Sequence, residues 1–148
     1  MPAMNDSTIE SDRFNLQRFL DAQAPVYSSV LAELRAGLKR THWMWFIFPQ
    51  HASLGRSETA RYFGIGSKDE AVAYRRHPVL GARLRECCKI LLQVRDRTAH
   101  DIFGSPDDLK LRSSITLFAL AAPDEAIFAR VLERYCDGRA DERTLALM

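Results

Sequence analysis

The chain has 148 residues, of which 47% are hydrophobic, a length and composition typical of one globular domain. Its 21 lysines and arginines against 19 acidic residues leave a net charge of +2, which argues against a dedicated nucleic-acid binder. The longest apolar run is far shorter than the roughly 18 residues of a membrane span, and no signal peptide opens the chain. We therefore expect a cytoplasmic protein without a membrane segment, with residues 1–11 as a disordered polar tail and residues 12–148 as a single all-helical domain.

The first half of the chain contains two predicted helix starts, followed by a strongly apolar stretch. Ser11 or Asp12 can cap a first helix, and Pro25 suits the first turn of a second. The aromatic stretch HWMWFIFPQ follows, and we interpret its core as a helix from Thr41 to Phe48, capped by Thr41. A helix that is apolar on all sides is typical of an element wrapped by others. The sequence thus predicts a central aromatic helix here.

Two further helices are predicted in the middle of the chain. Ser67 and Glu70 have the spacing of a capping box, which marks the start of a short helix. Pro78 precedes the clearest amphipathic helix of the chain. Its apolar positions recur at steps of three and four: Leu80, Leu84, Cys87, Leu91 and Val94.

The last third of the chain continues the helical pattern. Ser105 offers a capping hydroxyl before Pro106 and two acidic residues, which predicts a strong helix start. The pair Asp137 and Gly138 marks the end of the next helix, and Asp141 can cap a final one. We therefore predict an all-α, irregular multi-helix bundle around the central aromatic helix from Thr41 to Phe48.

The cysteines and histidines show no metal-binding or redox pattern. Cys87, Cys88 and Cys136 are odd in number and form no C-x-x-C pair, so we interpret them as core or boundary residues of a reducing compartment. No H-E-x-x-H or comparable ligand spacing is present. We expect no metal site and no cofactor.

The aromatic stretch also holds candidate ligand-binding residues. Trp43 and Trp45 lie two positions apart, so on a helix they point about 200° away from each other. One can pack in the core while the other lines a cavity, with His42 and Gln50 at its mouth. His77 stands at a predicted helix start, where it is either a cap or a functional acid–base or ligand-binding group.

The most suggestive polar cluster lies on the helix that follows Pro106. Lys110, Arg112, Ser113 and Ser114 display an ammonium, a guanidinium and two hydroxyls within little more than one turn. Such a grouping suits a phosphate or a carboxylate. The alternative is a solvated face, or an internal ion pair with Asp107 or its neighbour. No nucleophile motif accompanies the serines, so the catalytic residues, and whether the chain is an enzyme, stay open.

Four blocks of the sequence resemble a known family of small bacterial proteins, domain-of-unknown-function family 1810. They are residues 42–50, residues 73–84, residues 102–118 and residues 141–145. The resemblance implies a compact all-helical domain and no established activity, so no catalytic residue is carried over. Members are often labelled "calpastatin", but calpastatin-type inhibitors are long and disordered, whereas this chain is patterned to fold.

Two functional hypotheses lead, and nucleic-acid binding is a third, which the small net charge of +2 disfavours. The first is a site that binds or hydrolyses a small anionic ligand, such as a nucleotide, at His42, Trp43, Trp45, Gln50, His77, Lys110, Arg112, Ser113 and Ser114. The second is a protein–protein interaction module without catalysis, whose partner the sequence does not identify. A concave pocket would favour the first, and an exposed apolar patch the second.

Overall fold

The computed structural model describes residues 12–148, so the predicted polar tail, residues 1–11, lies outside the described residues. Within residues 12–148 the backbone forms α-helices, one 3₁₀-helix and a single isolated β-bridge between His51 and Ile65. The all-α, multi-helix prediction is therefore confirmed. The helices are α1 (Gln17–Gln23), α2 (Tyr27–Ala36), α3 (Met44–Ile47), the 3₁₀-helix (Ala52–Leu54), α4 (Glu58–Tyr62), α5 (Lys68–Arg76), α6 (Leu80–Gln93), α7 (Ala99–Phe103), α8 (Asp107–Ala121), α9 (Ala126–Cys136) and α10 (Glu142–Leu147).

Helices α6 and α8 form the framework of the bundle. Helix α8 packs against α5, α7, α9 and α10, while α6 packs against α2, α5 and α9. Helix α8 is apolar or small over most of its surface, as a helix surrounded by others should be. Its buried side chains are Leu111, Ser113, Ser114, Ile115, Thr116, Leu117, Phe118 and Ala121. No helix of residues 12–148 combines the length and apolar character needed to cross a membrane.

The predicted helix from Thr41 to Phe48 is shorter in the structure, where only Met44–Ile47 is helical. The prediction that Thr41 caps it is wrong, because the Thr41 hydroxyl donates to Glu33 Oε2 at 2.7 Å. This contact ties the chain before α3 to α2. Trp43 and Phe48 of this segment are nevertheless each only 1% exposed, so the segment contributes to the core.

Several predicted helix boundaries are confirmed. The Ser67 side chain accepts a hydrogen bond from the Glu70 amide and caps α5, and Asp141 caps α10. Asp137 ends α9 with a φ of 54°. The predicted cap at Ser105 is wrong. Helix α8 begins at Asp107 without a side-chain cap, since its first amide groups find the Gly104 carbonyl and other local acceptors instead.

A single carboxylate, that of Glu33 on α2, fixes the chain that leads into α3. Glu33 accepts hydrogen bonds from the Arg40 amide at 2.6 Å, the Thr41 amide at 2.9 Å and the Thr41 hydroxyl at 2.7 Å. The indole Nε1 of Trp43 donates to the same carboxylate at 3.0 Å. Four donors on one carboxylate stabilise its ionised form.

We expect Glu33→Gln to lower the free energy of unfolding at pH 7 by about 2 kcal/mol, because hydrogen bonds to a charged group are lost. Partial burial alone would raise the pKa of Glu33, but the hydrogen bonds from Arg40, Thr41 and Trp43 outweigh it and lower that pKa to about 2. A folded-state pKa below the unfolded value of roughly 4.3 stabilises the fold at higher pH. That stabilisation disappears as the pH falls from about 4 towards 2.

Urea melts of the parent and Glu33→Gln at pH 7, 4 and 2.5 test this expectation. The difference in the free energy of unfolding between the parent and Glu33→Gln should become smaller as the pH falls. Glu133→Gln, at an exposed position of α9, serves as the control and should track the parent throughout. If the difference in the free energy of unfolding is the same at all three pH values, the charge of Glu33 does not contribute to stability.

Candidate functional site

A cavity lies between the segment that follows α3, the start of α8 and the start of α10. It encloses about 570 Å³, within the range of small-molecule sites. We call it the cationic cavity. Its lining residues are Gln50, Leu54, Arg56, Ser57, Ala60, Pro106, Leu109, Lys110, Arg112, Ser113, Asp141 and Arg143.

The first wall of the cavity is the segment from Gln50 to Ser57, which local hydrogen bonds hold in place. The Gln50 carbonyl accepts from the Ile65 amide at 2.9 Å, and the Ala52 amide donates to the Ile65 carbonyl at 2.8 Å. Gly64 approaches this segment so closely that an added Cβ would lie 2.4 Å from the Ala52 Cα. Ser57 caps α4 by accepting from the Ala60 amide. This wall is therefore preorganised although it is a loop.

The second wall is the start of α8. Lys110 Nζ lies 3.7 Å from Asp107 Oδ1 and 5.8 Å from the centroid of the Trp45 ring. Asp107 also pairs more closely with Lys39, at 3.0 Å, so its charge is shared. The aromatic segment and the polar cluster of α8 thus face each other at Lys110.

Arg112 differs from Lys110 in having no hydrogen-bonded partner for its buried Nε within residues 12–148. The Arg112 guanidinium lies beside Cys136, whose pKa burial raises while Arg112 opposes that rise. Ser113 is buried and its hydroxyl donates to the Leu109 carbonyl at 3.3 Å. Because this Nε is sealed from solvent, Arg112 contributes to the cavity through its positive charge.

The third wall is the start of α10, positioned by Asp141. One carboxylate oxygen of Asp141 accepts from the Thr144 amide at 3.0 Å and from the Thr144 hydroxyl at 2.6 Å. The Asp141 amide donates to Thr116 Oγ1 at 2.9 Å, which ties α10 to α8. Arg143 then lies on the cavity.

Positive charge dominates the lining of the cationic cavity. Arg56, Lys110, Arg112 and Arg143 face a single carboxylate, Asp141, which caps α10. The three arginines form no ion pair with any carboxylate of residues 12–148. Such an arrangement attracts anions and offers them charge-assisted hydrogen bonds.

Comparison with known proteins shows where this chain belongs. The family described as "Protein of unknown function (DUF1810)" matches residues 13–148. The chain is a member of the DUF1810 family. This confirms the resemblance that the four sequence blocks indicated.

A solved structure extends the comparison to the fold of this DUF1810 member. The chain is similar to the crystal structure of the conserved hypothetical protein Rv1873 from Mycobacterium tuberculosis, with 54% sequence identity and a TM-score of 0.91. The match covers 93% of this chain and 98% of that one. No curated protein matches the chain significantly.

Within this DUF1810 fold, four of the candidate residues come together. Gln50, Lys110, Arg112 and Ser113 all line the cationic cavity. Trp45 is half-buried and lines a separate cavity of about 10 Å³, which shares Gln50 and Lys110 with the cationic cavity. The role of these residues in binding a ligand stays a prediction.

The other candidates do not line the cationic cavity. His42 is exposed, Trp43 is sealed in the core with its indole N–H on Glu33, and Ser114 is fully buried. His77 Nδ1 accepts from two amides at the start of α6, so it is a cap. Burial lowers the pKa of His77, which favours the neutral ring that such a cap requires.

Sequence reasoning missed Arg56 and Arg143. Neither arginine carries a local motif, and the folded chain brings them to α8 from positions that lie far away in the sequence. The region after Gln50 was the one available signal for Arg56, because loops that follow rigid elements often hold functional groups. Among residues 12–148, no group of three or more histidine, cysteine or acidic side chains is placed to hold a metal ion.

Proposed function

We propose that this chain binds a small anionic molecule in the cationic cavity. The observation that carries the proposal is the charge of the lining, where four cations face one carboxylate that caps α10. Like charges gathered in one concave site repel each other, and an anion relieves that repulsion. A surface that evolved only for solubility would need no such convergence of three separate segments.

The remaining lining residues support a small-molecule site. Leu54, Pro106 and Leu109 give the cavity an apolar side, while the Gln50 amide and the Ser57 hydroxyl add neutral polar groups. An apolar surface with a few convergent polar groups is typical of ligand sites. The cavity therefore offers both area for contact and groups that fix orientation.

Binding fits the geometry better than hydrolysis. None of the four histidines of the chain lines the cationic cavity, and the one lining carboxylate, Asp141, is engaged with Thr144. A general base must lie within hydrogen-bond reach of the proton that it accepts. We therefore propose a binding protein rather than a hydrolase.

The interaction-module hypothesis finds less support. The large apolar side chains exposed among residues 12–148 belong to five separate segments: Leu38, Tyr62, Val79, Leu109, and the pair Leu145 and Leu147. Individually exposed apolar side chains are normal on a protein surface, and no more than two of these lie on any one helix.

A thermal-shift assay with inorganic phosphate, nucleotides and small carboxylates tests the proposal. A ligand at a hundredfold excess over its Kd adds about 2.7 kcal/mol of stability. In a protein of this size each kcal/mol raises Tm by roughly 2–4 °C, so a shift of several degrees is expected. High salt should reduce the shift, because partly exposed charges are screened.

Two variants make the assay specific for the cationic cavity. Lys110→Ala should abolish the shift or reduce it strongly, measured against its own Tm. Lys89→Ala removes the same charge from an exposed position of α6 and should keep the shift of the parent. No shift with any anion, or equal shifts in both variants, would refute binding at this site.

A further inference from the structure

The charge distribution of the cationic cavity also indicates the class of its ligand, an inference that rests on the proposed function. We infer that the ligand carries at least two anionic groups linked as in a diphosphate, and that these groups, rather than an aromatic ring, provide its recognition. Three features of the cavity support this inference: the placement of the cations, the lack of ion pairs for three of them and the absence of aromatic side chains from the lining.

The cations approach the cavity from three walls. Arg56 comes from the loop before α4, Lys110 and Arg112 from α8, and Arg143 from α10. Charge-assisted hydrogen bonds span only roughly 2.7–2.9 Å, so cations on three walls of a cavity of about 570 Å³ favour more than one anionic group. Two linked groups can divide the walls between them.

Three of the same four cations, Arg56, Arg112 and Arg143, form no ion pair within residues 12–148. Only Lys110 has an ion-pair partner within residues 12–148, and this partner, Asp107, lies closer to Lys39. Four lining cations and one lining carboxylate give the cavity a formal charge of +3. A monoanion would leave most of this charge uncompensated.

The lining of the cationic cavity contains no aromatic side chain. The nearest aromatic wall is that of Trp45, in the neighbouring cavity of about 10 Å³, a volume that holds about one water molecule. A nucleobase therefore has no platform on which to stack. Diphosphate with or without a nucleoside should bind with similar affinity.

Isothermal titration calorimetry with orthophosphate, pyrophosphate, adenosine monophosphate and adenosine diphosphate, at constant ionic strength, tests the inference. We expect pyrophosphate to bind at least about tenfold more tightly than orthophosphate, since it gains a second set of charged hydrogen bonds. Adenosine diphosphate should match pyrophosphate within a few-fold.

A charge-neutral variant tests whether the second anionic group reaches α10. Arg143→Gln should weaken pyrophosphate binding about tenfold, while orthophosphate, which can bind beside the cations of α8, should lose much less. Arg130→Gln, at an exposed position of α9, is the matched control and should bind both anions as the parent does. Arg143 and Arg130 are both exposed, so neither substitution disturbs the core. Thermal melts verify that both variants are folded.

The outcomes separate this inference from the proposed function. Equal affinity for orthophosphate and pyrophosphate would retain an anion site but overturn the two-group ligand. A nucleoside diphosphate that binds far more tightly than pyrophosphate would overturn recognition through the anionic groups. Absence of binding for all four compounds overturns this inference, whereas the proposed function then fails only if the carboxylates of the thermal-shift assay also give no shift.

Discussion

Replacing Gly81 with alanine is expected to destabilise the protein by about 3 kcal/mol, a large effect for one added methyl group. Gly81 lies in the first turn of α6, where that helix crosses the end of α5. A Cβ at this position would lie 2.1 Å from the Arg75 carbonyl oxygen. The obstacle is backbone, so one helix has to move. Without this clash, alanine would favour the helix by up to about 1 kcal/mol over glycine.

Gly66→Ala is the matched control for this prediction. A Cβ at Gly66 would meet only a Glu70 carboxylate oxygen, at 3.5 Å, which is an ordinary contact. Reduced freedom of the unfolded chain should make this variant neutral or more stable by roughly 0.4–1 kcal/mol. Denaturant melts of both variants decide the matter, and a Gly81→Ala protein as stable as Gly66→Ala would contradict the close crossing of α5 and α6.

Trp43→Ala is expected to destabilise the protein by about 3–5 kcal/mol. The indole is 1% exposed and its ring packs edge-on against Phe103 with centroids 6.3 Å apart. Its loss opens a cavity in the core and also removes one of the donors that hold the Glu33 carboxylate. The measurement is the free energy of unfolding in urea at pH 7.

Trp45→Ala provides the comparison within the same segment. Trp45 is half-buried and contacts Lys110, so its truncation should cost only about 1–2 kcal/mol. The difference between the two variants follows from their opposite directions, one into the core and one towards the cationic cavity. Equal losses of stability would show that the two indoles are buried alike.

The sequence predicts helices well where a local signal and the tertiary structure agree. The Ser67 and Asp141 caps and the stop at Asp137 depend on contacts within three or four residues, so they are visible in the sequence. The start of α3 is different. It depends on Glu33, which lies eight residues before Thr41. The Thr41 hydroxyl binds the Glu33 carboxylate and therefore does not cap the helix. The capping preference of threonine does not reveal that Glu33 competes for its hydroxyl.

The candidate site could likewise be predicted from the sequence only in part. Lys110 and Ser113 lie three positions apart on one helix, so their spacing alone places them on one face. Nothing in the sequence places Arg56 or Arg143 beside them, because these positions meet α8 only through the folding of the 50–57 segment and α10. His77 was a wrong candidate for a related reason. Its ring nitrogen accepts hydrogen bonds from the backbone amides of Val79 and Leu80, so it caps a helix.

The contact between Lys110 and Trp45 gives the protein an optical reporter. The chain has only two tryptophans, and Trp43 is sealed in the core, so Trp45 is the indole whose surroundings respond to Lys110. Indole emission depends on the charges and the water near the ring. Under the proposed function, a bound anion would draw the Lys110 ammonium away from the ring and change those charges. We therefore expect the fluorescence of Trp45 to follow occupancy of the cationic cavity without a label.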